Sequence, residues 1–323
     1  MTHAIRIHKP GGPEVLQWDE ISVGSPGAGQ IRLRHTAVGL NYIDVYHRTG
    51  LYPQPLPFIP GMEGAGVVEE VGPGVTSLAK GDRVAYAGPL GGYAEERLIQ
   101  ADRVVKIPAG ISDQQAAAMM LQGMTVRYLI REVYPVKAGD TILIHAAAGG
   151  VGLILCQWAN ALGATVIGTV SNDEKAELAR ANGCHHPILY TREDFQKRVV
   201  EITQGKKLPV VYDSIGQDTF TQSLDCLRPR GLLALFGQAS GPVPPLDLGV
   251  LAQKGSLYVT RPTLSTFIAS AEDLRKTAED LFEVVSSGKV KISVNQTYAL
   301  KDAQQAHRDL EARKTTGSTV LTV

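Results

Sequence analysis

Cysteine is scarce: Cys156, Cys184 and Cys226 are the only three in 323 residues. An odd number at wide spacing is no disulfide framework, and the trio reads as reduced thiols of a cytosolic protein. Excess charge is also missing, with 32 basic and 32 acidic residues interspersed along the chain. A nucleic-acid binder ordinarily carries a basic surplus or a basic tract, so the balance argues against nucleic acid as a partner. No run of about 18 apolar residues is present to span a bilayer, and no membrane partner is expected. The opening Met1–Arg6 passes straight into alternating, strand-like sequence without the apolar core of a signal peptide, which fits a cytoplasmic location. What is there suits a folded protein: 44% of residues are apolar and 20% charged, enough for a core and unlike a disordered chain. The length fits two domains, or one with a large insertion. Glycine is enriched, at 34 residues, which marks backbone positions that need positive φ or close approach to a ligand.

The rhythm of the chain changes at about Ala118. Before it, short apolar runs broken by Gly and Pro (Gln30 to Gly39, Gly64 to Val71, Arg83 to Tyr86, Arg103 to Ile107) predict an all-β, partly closed barrel. From Asp140, apolar strands alternate with Gly-containing turns and helical stretches. Strands are expected at Thr141 to His145, Thr165 to Thr169, Pro187 to Leu189, Val210 to Asp213, Leu232 to Phe236 and Leu257 to Val259. Helices are expected at Leu153 to Leu162, Glu174 to Ala181 and Arg192 to Thr203. This alternation is the sequence form of a doubly wound parallel sheet, so the chain is α/β overall. Amphipathic helices near Ala271 to Ser286 and Lys301 to Ala312, then a strand at Ser318 to Val323, close the sequence. Pro53 to Pro60 and Gly241 to Pro245 read as surface loops.

The sharpest local signal is Ala146-Ala147-Ala148-Gly149-Gly150-Val151-Gly152, set between an apolar strand and a helix. Glycine patterns alone are weak; the strand–turn–helix setting gives this one weight. Small residues let the backbone approach a pyrophosphate, and the helix N-terminus offers unpaired N–H donors and positive partial charge. The blander alternative is a tight turn with no ligand. The spacing departs from the usual fingerprint, with Ala147 at the first position and an adjacent glycine pair.

The following strand bears on which dinucleotide binds. NAD-binding versions place an acid at its end, about 20 residues on, for the ribose 2′-hydroxyl. Here that position carries Ser171, and Lys175 follows four residues later. A 2′-phosphate needs donors and positive charge, which both supply, and NADPH is therefore expected over NADH. Asp173 and Glu174 add opposing charge, or else serve as first-turn residues favourable to the helix dipole.

Gly139-Asp140, Leu143, Ala147–Gly152, Gln157 and Asn160 together resemble the signature of the quinone oxidoreductase and zeta-crystallin branch of the medium-chain dehydrogenase/reductase superfamily. The resemblance runs the length of the chain, through Gly11–Leu16, Gly39–Asp44, Val211–Gly216 and Gly255–Pro262. It implies a GroES-like β-barrel domain at 1–123, a Rossmann NADPH-binding domain at 124–262 and a segment at 263–323 returning to the first, with the active site in the cleft between the domains. By position it implies that Asn41, Tyr42, Asp44 and Tyr46 line the nicotinamide side, with Thr125, Tyr128 and Ile215 in the same cofactor-binding set. Gly150, Val151 and Gly152 would meet the pyrophosphate. Ser171, Lys175, Tyr190 and Arg313 would hold the 2′-phosphate, and Phe236, Gly237, Gln238, Arg261, Pro262 and Thr263 would close around the nicotinamide ribose and carboxamide. Taken alone, Tyr190 reads as a core-edge aromatic and Arg313 as a solvated helix charge. A homodimer is implied as well, with the strand near Leu257 to Thr260 pairing across subunits.

Zinc-dependent members of the superfamily carry a Cys near position 40 and a Gly-His-Glu further on. This chain has Gly39-Leu40-Asn41 and Gly61-Met62-Glu63, so no metal is expected. Cys184-His185-His186 is the one Cys/His cluster, and it reads as a strand start. Without a Lewis acid, a substrate that accepts electrons readily fits best: a quinone, or alternatively an α,β-unsaturated carbonyl compound. Tyr46 and Tyr52 are the candidate catalytic residues, as donors to a substrate carbonyl oxygen or as pocket walls. A non-catalytic nucleotide-binding role, as a crystallin, sensor or RNA binder, is the rival from another class.

Overall fold

The computed structural model describes residues 1–323. The chain forms two compact units, one of Met1–Met124, Ile268–Ser286 and Ile292–Val323, the other of Thr125–Phe267 and Ser287–Lys291.

The first unit is built on β1 (Thr2–Ile7), β2 (Leu16–Ile21), β3 (Gln30–Leu40), β4 (Glu63–Val71), β5 (Arg83–Ala87), β6 (Glu96–Gln100) and β7 (Val105–Lys106), with β14 (Val294–Ala299) and β15 (Ser318–Thr322) from the far end of the chain. Strand β3 is the hub, antiparallel to β4, β6 and β15. Its inward residues serve two cores. Ile31 and Leu33 pack with Val68, Val84, Tyr86 and Ile99, while Val38 and Leu40 join Ile5, Ile7, Tyr93 and Leu321. The expected strand over Arg103 to Ile107 is shorter than its composition suggested. Ala101–Arg103 winds into a 3₁₀ turn, and only Val105–Lys106 pairs, with β5.

A helix at Tyr42–Thr49 follows β3. Its start is encoded locally: Asn41 is the N-cap, and the Asp44 carboxylate accepts the Asn41 backbone N–H at 3.0 Å. Gly50 ends it at φ 81°, a left-handed conformation that suits glycine.

The second unit holds β8 (Thr141–Ile144), β9 (Thr165–Val170), β10 (His186–Leu189), β11 (Leu208–Asp213), β12 (Leu227–Leu235) and β13 (Tyr258–Thr260) in one sheet ordered β10-β9-β8-β11-β12-β13. Every pairing in it is parallel. Strand β11 shows why: all six of its residues are buried, the pattern of a strand covered on both faces. The order runs outward from β8 in both directions, so the chain reverses between β8 and β11. Open sheets of this kind bind ligands at that reversal, beyond the carboxyl ends of the strands. Two helices begin elsewhere than expected. The one after β8 spans Gly150–Ala161, so the glycines form its first turn. The one expected from Arg192 starts at Phe195, because the Asp194 side chain caps it by accepting the N–H groups of Gln196 (3.0 Å) and Lys197 (3.2 Å).

Candidate functional site

In the second unit, most of the residues singled out from sequence lie just past the carboxyl end of a parallel strand: Ala146–Gly152 after β8, Ser171 after β9, Tyr190 after β10, Ile215 after β11, Phe236–Gln238 after β12 and Arg261–Thr263 after β13. Thr125 and Tyr128 stand apart, at the end of a helix that precedes β8. Gly152 shows how tightly the first of these turns is packed. A Cβ there would lie 2.3 Å from the Ala146 carbonyl oxygen and 2.6 Å from Ala147 backbone atoms. Ala146 itself holds φ 56°, so the turn is set by backbone packing and presents the first N–H groups of the helix Gly150–Ala161 outward.

Ser171 and Tyr190 follow the paired residues Val170 and Leu189 and so sit side by side. Lys175 occupies the first turn of the helix Asp173–Ala181, its backbone N–H capped by Asn172 at 2.9 Å. Of the two neighbouring acids that oppose the NADPH reading, Asp173 forms a surface ion pair with Arg192 at 2.9 Å, while Glu174 stands in the first turn of the helix. At the other end of the edge, Arg261 donates to the Leu235 carbonyl at 3.1 Å. Tyr128 stacks flat on Phe267, with ring centroids 4.4 Å apart, and hydrogen-bonds Thr125.

The remaining predicted residues belong to the first unit. Tyr42, Tyr46 and Tyr52 form an edge-to-face chain, with centroids 5.5 and 5.2 Å apart, and the Tyr52 N–H bonds the Tyr46 carbonyl at 3.0 Å. Arg313 lies just past the helix Ala303–Glu311 at φ 58°, and its charge acts on Tyr42. Asn41 and Asp44 are buried. The Asn41 carboxamide oxygen accepts from Gln122 at 3.0 Å. Tyr93 donates to Asp44 at 3.0 Å, and its hydroxyl also meets His307, which lies 3.1 Å from Arg48. Arg48 makes a two-pronged pair with Glu311 at 2.7 and 2.8 Å.

Sequence reasoning missed Glu63 in this network. Its carboxyl is fully buried, accepts the Leu121 N–H, interacts with the Asn41 side chain and turns Oε1 toward Gly39. Gly39 makes room for it: a Cβ there would fall 2.0 Å from that oxygen and 2.3 Å from the Ala117 carbonyl. Burial pushes Glu63 up to about 8 and Asp44 up to about 7, because an uncompensated charge is costly in a low dielectric. Both carboxyls ionise at ordinary values near 4 when unfolded, so their contribution to stability is complete below that and is lost as pH rises through 7 and 8. The buried histidines act in the opposite range. His35 and His307 are lowered to about 3 and His47 to about 4, so they cost stability only as pH falls below about 6.5. Between pH 6.5 and 8 the carboxyls therefore dominate this group, with Glu63 alone costing on the order of 1–2 kcal/mol. Urea unfolding at pH 6.5 and 8 should show that loss in the wild type and a flatter profile in Glu63→Gln; an equal slope in both would exclude Glu63 as its source.

No group of three or more His, Cys, Asp or Glu side chains is placed to hold a metal. His185 instead accepts the Val166 N–H at 3.0 Å, a structural bond at the start of β10. No helix is long and apolar enough to cross a membrane.

Comparison with known proteins matches two families in succession along the chain. The alcohol dehydrogenase GroES-like domain family matches residues 27–109, and the zinc-binding dehydrogenase family matches residues 150–283. A quinone oxidoreductase of Pseudomonas aeruginosa is 54% identical over 323 residues, covering 99% of both chains. The chain belongs to the quinone oxidoreductase family. Within that family, the crystal structure of the Escherichia coli quinone oxidoreductase complexed with NADPH superposes with a TM-score of 0.98 at 50% identity, covering 99% of this chain and 100% of that one. A 2-haloacrylate reductase of a Burkholderia species is also 50% identical, over 99% of both chains. The expected fold, a GroES-like domain with a Rossmann domain in the medium-chain dehydrogenase/reductase superfamily, is borne out.

Proposed function

We propose that this protein is an NADPH-dependent quinone oxidoreductase. The observation that carries the reading is the row of cofactor-type residues along the carboxyl edge of the six-stranded sheet, beginning at a turn only Gly152 can complete. The fit to NADPH is chemical. Helix N–H groups at Gly150–Gly152 suit a pyrophosphate, and the hydroxyls of Ser171 and Tyr190 with the Lys175 ammonium suit a 2′-phosphate. Arg313 is proposed as the second cation, and Phe236–Gln238 with Arg261–Thr263 as the enclosure of the nicotinamide half. When bound, the dihydronicotinamide supplies the reducing electrons. The protein's part is to orient the substrate and to exclude water.

Tyr46 and Tyr52 are proposed as the hydroxyl donors that face the quinone oxygen as negative charge develops on it. Each Tyr→Phe variant keeps the ring and its edge-to-face packing and removes only the hydroxyl. Oxyanion donors are typically worth about 10²–10³-fold in kcat, and the intrinsic reactivity of quinones sets the expected fall below that, at about tenfold. Wild-type turnover with 1,4-benzoquinone in both variants would reduce the tyrosines to packing.

The function itself is tested by following NADPH oxidation with a panel of quinones beside a panel of enones and haloacrylates, before and after treatment with a chelator. Turnover should be fastest with quinones and should survive chelation. Preference for the activated alkenes would move the protein to the other reductase branch, and no turnover at all would favour a binding role. We further propose a cytoplasmic homodimer. Strand β13 is an edge of its sheet and Tyr258 on it is exposed, and an edge strand left uncovered invites pairing with a second copy.

A further inference from the structure

Beneath the cofactor edge of the second unit runs a buried polar chain that the proposed function does not use. It comprises Thr169, His145, Ser223 and Asp213, none more than 3% exposed. His145 Nδ1 lies 3.0 Å from Thr169 Oγ1, and His145 Nε2 lies 2.9 Å from Ser223 Oγ. Ser223 in turn donates to Asp213 Oδ2 at 3.1 Å, and Thr219 donates to the same oxygen at 2.7 Å. The other Asp213 oxygen accepts the backbone N–H groups of Ile215 (2.8 Å) and Gly216 (3.1 Å).

These bonds fix every proton in the chain. The Ser223 hydroxyl hydrogen is committed to the Asp213 carboxylate, so Ser223 Oγ accepts from His145 Nε2–H. His145 Nδ1 is then the acceptor and takes the Thr169 hydroxyl hydrogen. Thr169 Oγ1 faces the Ala146 N–H at 3.4 Å, and the Thr169 carbonyl accepts the Ala147 N–H at 3.0 Å. Burial keeps the imidazole neutral by lowering its pKa, against the pull of Asp213. The chain thus starts at the turn after β8, runs through Thr169 on β9, His145 just past β8 and Ser223 on the helix Phe220–Asp225, and ends at Asp213 and the loop after β11. Those are the two sides of the point where the strand order reverses.

We propose that His145, held as its Nε2–H tautomer, is a positioning residue that keeps the Ala146–Gly152 turn and the Ser214–Gly216 loop in register, so that a ligand spanning both binds in one geometry. The inference rests on the NADPH reading above. A histidine that merely fills the core would stabilise the fold without distinguishing ligands by length. A register device distinguishes them. NADPH reaches both loops, whereas adenosine 2′,5′-bisphosphate carries only the adenosine and 2′-phosphate half and ends at the first.

The test uses Thr169→Val, which removes one hydroxyl at nearly constant volume, and Ser223→Ala, which breaks the chain on the other side of His145. Titrating each with NADPH and with adenosine 2′,5′-bisphosphate should show NADPH weakened by about tenfold and the fragment by no more than about twofold. Thr169→Ser, which restores the hydroxyl, should recover NADPH affinity. Equal weakening of both ligands, or no weakening of NADPH, would overturn the inference while leaving the cofactor assignment intact. Wild-type protein that binds the fragment but not NADPH would overturn both.

Discussion

Lys175→Ala should weaken NADPH by roughly ten- to a hundredfold while NADH binding stays nearly unchanged. Parallel pairing of β9 with β10 brings Ser171 and Tyr190 together, and Lys175 stands one helical turn into the helix that follows Ser171. No acid occupies the position that would bond a ribose 2′-hydroxyl, and the nearest, Asp173, is held by Arg192. A phosphate accepting from the Lys175 ammonium makes a charge-assisted bond of about 1.5–3 kcal/mol, which sets the range. NADH has no such phosphate and nothing to lose. Arg313→Ala should behave likewise if the residue shares the site, and titration by nicotinamide fluorescence reads both variants. Equal loss of the two cofactors would mean that Lys175 acts on the fold and not on the phosphate.

Gly152→Ala should behave differently and weaken the binding of both cofactors together. The added methyl would meet the Ala146 carbonyl at 2.3 Å and the Ala147 backbone at 2.6 Å. Neither contact is the end of a flexible side chain, and Ala146 already holds a left-handed backbone. The helix Gly150–Ala161 must therefore move off the turn, taking with it the N–H groups proposed for the pyrophosphate. Both NADPH and NADH should weaken by at least about a hundredfold, with overpacking costing about 1–3 kcal/mol of stability. Binding of either cofactor within about threefold of wild type would place the pyrophosphate elsewhere.

The sequence was most legible where one element dictates the next. Strand, glycine turn and helix follow one another within Thr141–Ala161, so periodicity and turn chemistry suffice to place them. The alternation after Asp140 likewise announces a parallel sheet, because burial on both faces leaves continuous apolar runs such as Leu208–Tyr212. Strand order was a different matter, since no local pattern says that β8 lies between β9 and β11.

The first unit was harder for the same reason. Strand β15 pairs with β3 across most of the chain, and Arg48 meets Glu311 from 263 residues away. Local propensity carries no record of such partners. The helix Tyr42–Thr49 did have a local signal, Asn41 followed three residues later by Asp44. Those residues stood out as cofactor-lining positions, while their capping role is what starts the helix. Glu63 had no signal of its own. A carboxyl after Gly61-Met62 reads as a surface residue unless it is known that Gly39 leaves a space for it. The His145 chain was hidden too, because its four members come from separate elements and each alone looks like an ordinary polar residue in a strand or helix.

The measurement closest to the central claim is the oxidation of NADPH and of NADH, side by side, by chelator-treated protein with 1,4-benzoquinone as acceptor. Rapid oxidation of NADPH, with kcat/KM at least about tenfold above that for NADH, is the predicted result. Oxidation of both cofactors at equal efficiency, or none until zinc is restored, would contradict it.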